Sequence, residues 1–263
     1  MPTASLWNDL LACPGEKAHM VQFYQDRTLL GSTVGYYFSE GLKRGEAAVA
    51  IATGDLWEQV RRNLEDRGHD PARLQQQGRL IVREARETLD AILRNGKPDE
   101  TLFAKTIGPV LTLSTPEGSR VRAFGEMVSI LWQERRYDAA IRLEELWNRL
   151  VKSRDFTLLC ACEGYILAPE FHGSCAEGLF REHSHVIPLN YDRLTNAVDR
   201  AMDEVLGASH AAALRPLIAA GKRRIAVMPG AQTSLLWLQT HLPERIATVL
   251  STARRHYDLR GEA

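Results

Sequence analysis

The sequence has no excess of either charge: Lys plus Arg and Asp plus Glu each number 33 in 263 residues, so the formal net charge is zero. That balance lacks the basic footprint of a chain that holds nucleic acid, and no nucleic-acid partner is expected. No apolar run approaches the roughly 20 residues that span a bilayer, so no membrane partner is expected either. The opening residues, MPTASLWNDLLACPGEKAH, have no basic segment leading into an apolar one, and no signal peptide is expected. Cysteines are few, four in all. Without a secretory signal they are expected to be reduced thiols of a cytoplasmic protein. A Walker A loop is missing too. The turn after the first expected strand, Gln25-Asp26-Arg27-Thr28-Leu29-Leu30-Gly31-Ser32-Thr33, holds one Gly and no Lys, where a phosphate loop needs glycine-freed amides and a Lys. Gly173-Ser174-Cys175 lacks the second Gly of a nucleophile elbow. Neither nucleotide hydrolysis at that turn nor serine acyl transfer is expected, and no cofactor is required.

Hydrophobic residues make up 44% and charged residues 25%, enough apolar material for a large core. Residues 1–18 are expected to be a leader. From His19 strands and helices alternate. His19–Tyr24 reads as a strand, Asp26 as an N-cap, and Leu29 to Leu42 as an amphipathic helix ending at Gly41 or Gly45. Residues 47–53 are a second strand, followed by a helix capped at Gly54-Asp55. Asp70-Pro71 opens a short helix, Leu80–Val82 is a third strand, and helices follow over 87–94 and 99–113, then a turn at Pro116-Glu117-Gly118.

Residues 121–162 organise the rest: strand Val121–Phe124, a turn at Gly125-Glu126-Met127, a helical pair, and the apolar strand Phe156–Ala161. Val186–Leu189 is an edge-strand candidate, suited to its Pro188. Beyond Asn190 the chain reads as helical, with an apolar tetrad at Arg224–Val227 as strand or linker. The expectation is an α/β fold, a mostly parallel sheet with helices on both faces, over residues 19–190. Residues 191–263 form a C-terminal helical appendage that packs on the sheet or dimerises, with Trp237 and Leu238 as candidate exposed positions.

Ligands of open α/β sheets bind beyond the carboxyl ends of strands. Glu126 falls there, beside a Gly taken to allow a sharp turn; its other role would be a helix-start acid. Cys160, Cys162, His172, Cys175, His183 and His185 are soft metal-ligand types, but their spacings fit no standard zinc site, and no metal is expected. A thiol in an apolar strand is inert as a nucleophile. Glu144 and Asn148 read as boundary residues or as partners near Glu126.

Several of these segments together resemble one family. His19…Phe23-Tyr24, Gly41-Leu42…Gly45-Glu46, Gly78-Arg79-Leu80, Gly125-Glu126-Met127, Leu143-Glu144-Glu145-Leu146-Trp147-Asn148, Leu158-Leu159-Cys160-Ala161 and His183-Ser184-His185 resemble the MEDS domain, the sensory domain of DcmR-type regulators. The resemblance covers roughly residues 17–190. It implies a RecA/KaiC-like fold whose phosphate loop has degenerated, and a sensor of small, hydrocarbon-like molecules in signal transduction or transcriptional control. Cys162 stands where the family has Tyr, so ligand identity does not carry over. The expected ligand-binding set is His19, Tyr24, Glu126, Trp147, Asn148, Cys160 and His183. The expected partners are a small-molecule ligand and a signalling protein or a second copy of the chain. The rival functions are a metal- or nucleotide-dependent hydrolase and an interaction scaffold that binds no ligand.

Overall fold

The computed structural model describes residues 4–113, 120–163, 178, 180–187, 191–221 and 230–258. Pro116-Glu117-Gly118, His172, Gly173-Ser174-Cys175, Pro188 and Arg224–Val227 lie outside the described residues. The chain divides into two units, Met1–Glu163 and Gly164–Ala263.

In the first unit the span expected as a leader carries helix α1 (Ala4–Ala12), with Trp7 and Leu11 buried. Then follow β1 (His19–Tyr24), α2 (Arg27–Lys43), β2 (Ala47–Ala52), α3 (Gly54–Asp66), α4 (Pro71–Gln76), β3 (Leu80–Glu84) and α5 (Ala85–Ile92). A two-strand ribbon, β4 (Leu93–Arg94) and β5 (Lys97–Pro98), turns at Asn95-Gly96, both at positive φ. The sequence pattern had run a helix to Arg94. Next come α6 (Glu100–Leu113), β6 (Val121–Gly125), α7 (Met127–Gln133), α8 (Tyr137–Ser153) and β7 (Phe156–Glu163). Asp26 caps α2, accepting from Thr28 N at 2.7 Å, and Asp70 with Pro71 opens α4 as expected. Thr53 rather than Gly54-Asp55 holds the N-cap position of α3, with no side-chain cap hydrogen bond.

The five long strands of this unit run parallel in the order β3, β2, β6, β7, β1. Their register fixes the faces, because side chains alternate along a strand. Arg122 pairs with Thr157 across β6 and β7, and both meet Tyr37 of α2: Tyr37 OH lies 2.6 Å from Thr157 Oγ1, and Arg122 donates to Tyr37 O at 2.8 Å. Phe156, Leu158 and Cys160 have the opposite parity. Trp147 of α8 meets Phe156 there, and Phe103 of α6 meets Trp147 edge-on at 5.0 Å. Thus α2 with α3 covers one face, and α6 with α8 the other.

The close approach of α2 and α3 depends on missing side chains. A Cβ on Gly35 would stand 2.7 Å from Asn63 Cβ, and one on Gly31 2.8 Å from Gln59 Cβ. We expect Gly35→Ala to destabilise the fold by about 1–3 kcal/mol, the usual cost of overpacking. Urea unfolding measures this, with Gly54→Ala, where a Cβ meets nothing within 4 Å, as a control expected near neutral.

His69 supplies a pH dependence. Its Nε2 lies 2.8 Å from Ser39 Oγ, and burial, then Lys43, Arg79 and Arg67, holds its pKa below the ordinary 6.5, against a weaker pull upward from Glu40. The unfolded chain therefore takes up this proton first. The stabilisation is complete above 6.5 and is lost as pH falls toward the folded value. His69→Asn should flatten the fall in melting temperature between pH 7 and 5, and an unchanged slope would exclude His69 as a contributor.

The second unit contains β8 (His185–Ile187), α9 (Tyr191–Leu206), α10 (Ala208–Gly221), α11 (Gly230–His241) and α12 (Pro243–Asp258). The stretch expected to be helical beyond Asn190 is divided at Gly207, whose φ is 84°. Arg193 of α9 donates to Tyr257 O at 3.0 Å and stacks on that ring, while Arg215 of α10 reaches Asp203 at 2.7 Å. Leu238 is fully buried; Trp237 is half-buried and stacks on His241 with centroids 4.3 Å apart.

Candidate functional site

In this sheet the helices that follow β2 and β6 go to opposite faces, α3 with α2 and α8 opposite them. Adjacent strands whose crossovers diverge leave a crevice at their carboxyl ends, the usual ligand position in open α/β sheets. Thr53 and Glu126 stand there. Glu126 follows β6 directly, and its amide extends the ladder to Ile51 O at 2.9 Å. Its carboxylate is buried and does not cap α7. Oε2 accepts from Thr53 N at 2.7 Å and from Thr53 Oγ1 at 2.8 Å, and Oε1 accepts from Arg27 at 2.5 Å. Arg27 also donates to Thr53 Oγ1 at 2.7 Å. One carboxylate thus joins the turns after β1, β2 and β6. Thr53 makes no side-chain cap because its hydroxyl is spent on Glu126. Arg27 and Thr53 were not singled out from sequence; a basic residue one position past an N-cap carries no signal of its own.

Gly125 does not supply a sharp turn. It has no positive φ and ends β6, and a Cβ there would make an ordinary contact with Trp147 Cζ2 at 3.9 Å.

Tyr24 ends β1 at the same edge. Its hydroxyl lies 3.2 Å from Ser129 Oγ and donates to Glu163 Oε2 at 3.4 Å, and Ser129 Oγ also accepts from Glu163 N at 2.9 Å. Burial raises the Tyr24 pKa well above the phenol range, so the hydroxyl stays protonated as a donor.

Cys160 and His19 have the parity opposite to Tyr24, on the α8 face. There Glu144 is fully buried, not a boundary residue. His19 Nε2 lies 3.2 Å from Glu144 Oε2 and 3.4 Å from Cys160 Sγ, and the thiol donates to the same Oε2 at 3.5 Å. Burial, then the Glu144 charge, holds the Cys160 thiol well above its ordinary pKa, and Cys162 follows the same causes. Trp147 is buried between Phe103, Phe156 and Gly125, and Asn148 is half-buried one residue further along α8. His183 is buried in the second unit, just before β8. The first unit therefore does not gather its share of the expected set at one point: Tyr24 and Glu126 lie at the carboxyl edge, and His19 and Cys160 under α8.

The turn after β1 is unlike a phosphate loop. Such a loop offers free backbone amides at a helix start, whereas here Asp26 takes Thr28 N and Leu29 N. This is a parallel α/β protein with a polar latch at its strand switch point and an acid-capped first turn. The sequence model of the family described as MEDS: MEthanogen/methylotroph, DcmR Sensory domain matches residues 18–183, and the chain belongs to that family. Its role is therefore sensory or signalling. No curated protein matches it.

Proposed function

We propose that the chain senses a small, mostly apolar molecule carrying one hydrogen-bond acceptor, at the carboxyl edge around Glu126, and catalyses no reaction on it. Arg27 carries this reading. Its outer nitrogen holds Glu126 and Thr53, while its Nε is buried with no hydrogen-bond partner among the described residues. A buried donor without an acceptor is costly, and a ligand acceptor would relieve that cost. The non-catalytic part is supported by Asp26, which fills the phosphate position, and by thiols held protonated. Arg27 begins α2 and Thr53 precedes α3, so a ligand that favours one arrangement of the latch biases both helices. A signalling partner or a second copy of the chain, in the cytoplasm, would read that bias.

The test is saturation-transfer NMR with short-chain alcohols, ketones and halocarbons as probes. At least one class should bind the wild-type chain. Arg27→Met and Glu126→Gln should each weaken it tenfold or more, and Gly54→Ala should not. If no probe binds, or if the variants bind as wild type does, the sensing site is not here and an interaction scaffold takes its place.

A further inference from the structure

His19 begins β1, Cys160 lies midway along β7, and Glu144 lies midway along α8, yet their Nε2, Sγ and Oε2 atoms converge within the first unit. All three residues are buried. The separations are 3.2 Å between N and O, 3.4 Å between N and S, and 3.5 Å between S and O. A tetrahedral zinc ion, with bonds of about 2.0–2.1 Å to N and O and about 2.3 Å to S, spaces its ligand atoms roughly 3.3–3.6 Å apart. The triangle's edges lie within about 0.1 Å of those of one face of that tetrahedron. Hydrogen bonding accounts for it less well. Nε2 and Sγ bring at most two protons between neutral His and thiol, so three mutual contacts leave one edge unbridged.

We propose that His19, Glu144 and Cys160 bind one divalent transition metal ion, zinc by ligand type, as three ligands of a tetrahedral site that ties β1, β7 and α8 together. The donor set is chemically suited to it. A neutral imidazole, a thiolate and a carboxylate are all zinc ligands, and a softer thiolate disfavours magnesium or calcium. Charge also balances: one dication with one thiolate and one carboxylate is neutral, which a dry site requires. On binding, the Cys160 sulfur forms a bond to the metal and its proton leaves to solvent. The site lies on the sheet face opposite Tyr24 and stands independently of the ligand latch around Glu126.

The experiment uses the full chain, stripped with chelator and titrated with cobalt(II) and then zinc(II). One equivalent of cobalt should give intense tetrahedral visible bands and a thiolate charge-transfer band in the near ultraviolet, and one equivalent of zinc should displace it. Cys160→Ser should abolish the charge-transfer band, while Cys13→Ser should keep it. His19→Gln and Glu144→Gln should each weaken zinc binding at least about 100-fold, the upper end of what losing an outer partner costs. X-ray absorption at the zinc edge of wild-type protein, which needs no variant, should show one sulfur at about 2.3 Å. Substoichiometric binding, a weak octahedral cobalt spectrum, a zinc shell without sulfur, or a charge-transfer band that survives Cys160→Ser would each overturn the site.

Discussion

Arg122→Met is expected to lower the unfolding free energy by about 3–5 kcal/mol, the range found when one member of a buried charged network is removed. Arg122 is 1% exposed in the middle of a parallel sheet, where a cation survives only if it is fully partnered. Its guanidinium pairs with Glu46, donates to Leu11 O at 2.7 Å, to Tyr37 O at 2.8 Å and to Ala12 O at 2.9 Å, and lies over the Tyr37 ring at 5.0 Å. Methionine fills the volume and leaves those acceptors unpaired, which is the expensive part. Lysine is expected to fare little better, since an ammonium lacks the planar fork that reaches several acceptors at once. Glu46→Gln should cost far less, because Glu46 is partly exposed and the three carbonyl bonds survive.

Two of the carbonyls belong to the end of α1, so the loss has a local signature. In Arg122→Met the amides of Trp7 to Ala12 should exchange with solvent faster than those of β7. Urea unfolding and hydrogen exchange together decide the matter. A loss under 1 kcal/mol with α1 still protected would mean that packing of Trp7 and Leu11, not the arginine, holds α1.

The alternation of strands and helices was legible because each element carries its own period and its own caps. Asp26 and Asp70 are readable for the same reason: an N-cap acts on amides two or three residues away. Residues whose role is set by distant chain were not readable. Thr53 shows this, since its local chemistry says cap while its hydroxyl goes to Glu126, 73 residues on. Spacing within one cysteine- and histidine-rich window gave no metal site. The triangle around Cys160 draws its other members from His19 and Glu144, which no spacing rule connects. Glu144 is in addition the position where the helical pattern misleads, because a carboxylate on a core-facing stripe looks like an edge residue until its partners are known. Gly125 looked like a turn, yet it ends β6 without a positive φ.

Trp147 itself gives the second large effect. Trp147→Ala is expected to cost about 3–5 kcal/mol, as for other buried aromatic truncations, and to leave the probe binding proposed for the Glu126 edge unchanged in the fraction that stays folded. Trp147 is 1% exposed, stands edge-on to Phe103 at 5.0 Å, and lies 6.5 Å from Phe156. Those contacts join α6, α8 and β7, so alanine opens a cavity among three elements that cannot close without moving a helix. Trp147→Phe keeps most of the area and is expected to cost about 1–2 kcal/mol, within the range of a smaller core deletion. Gly125 tests the same packing from the other side. A Cβ there meets Trp147 at 3.9 Å, an ordinary contact, so Gly125→Ala should be nearly neutral while Gly125→Leu pushes the indole out. Denaturant unfolding with an unchanged slope gives each cost. If Trp147→Ala stays within 1 kcal/mol of wild type but loses probe binding, Trp147 belongs to the proposed ligand site, and its packing between Phe103 and Phe156 is not its main contribution.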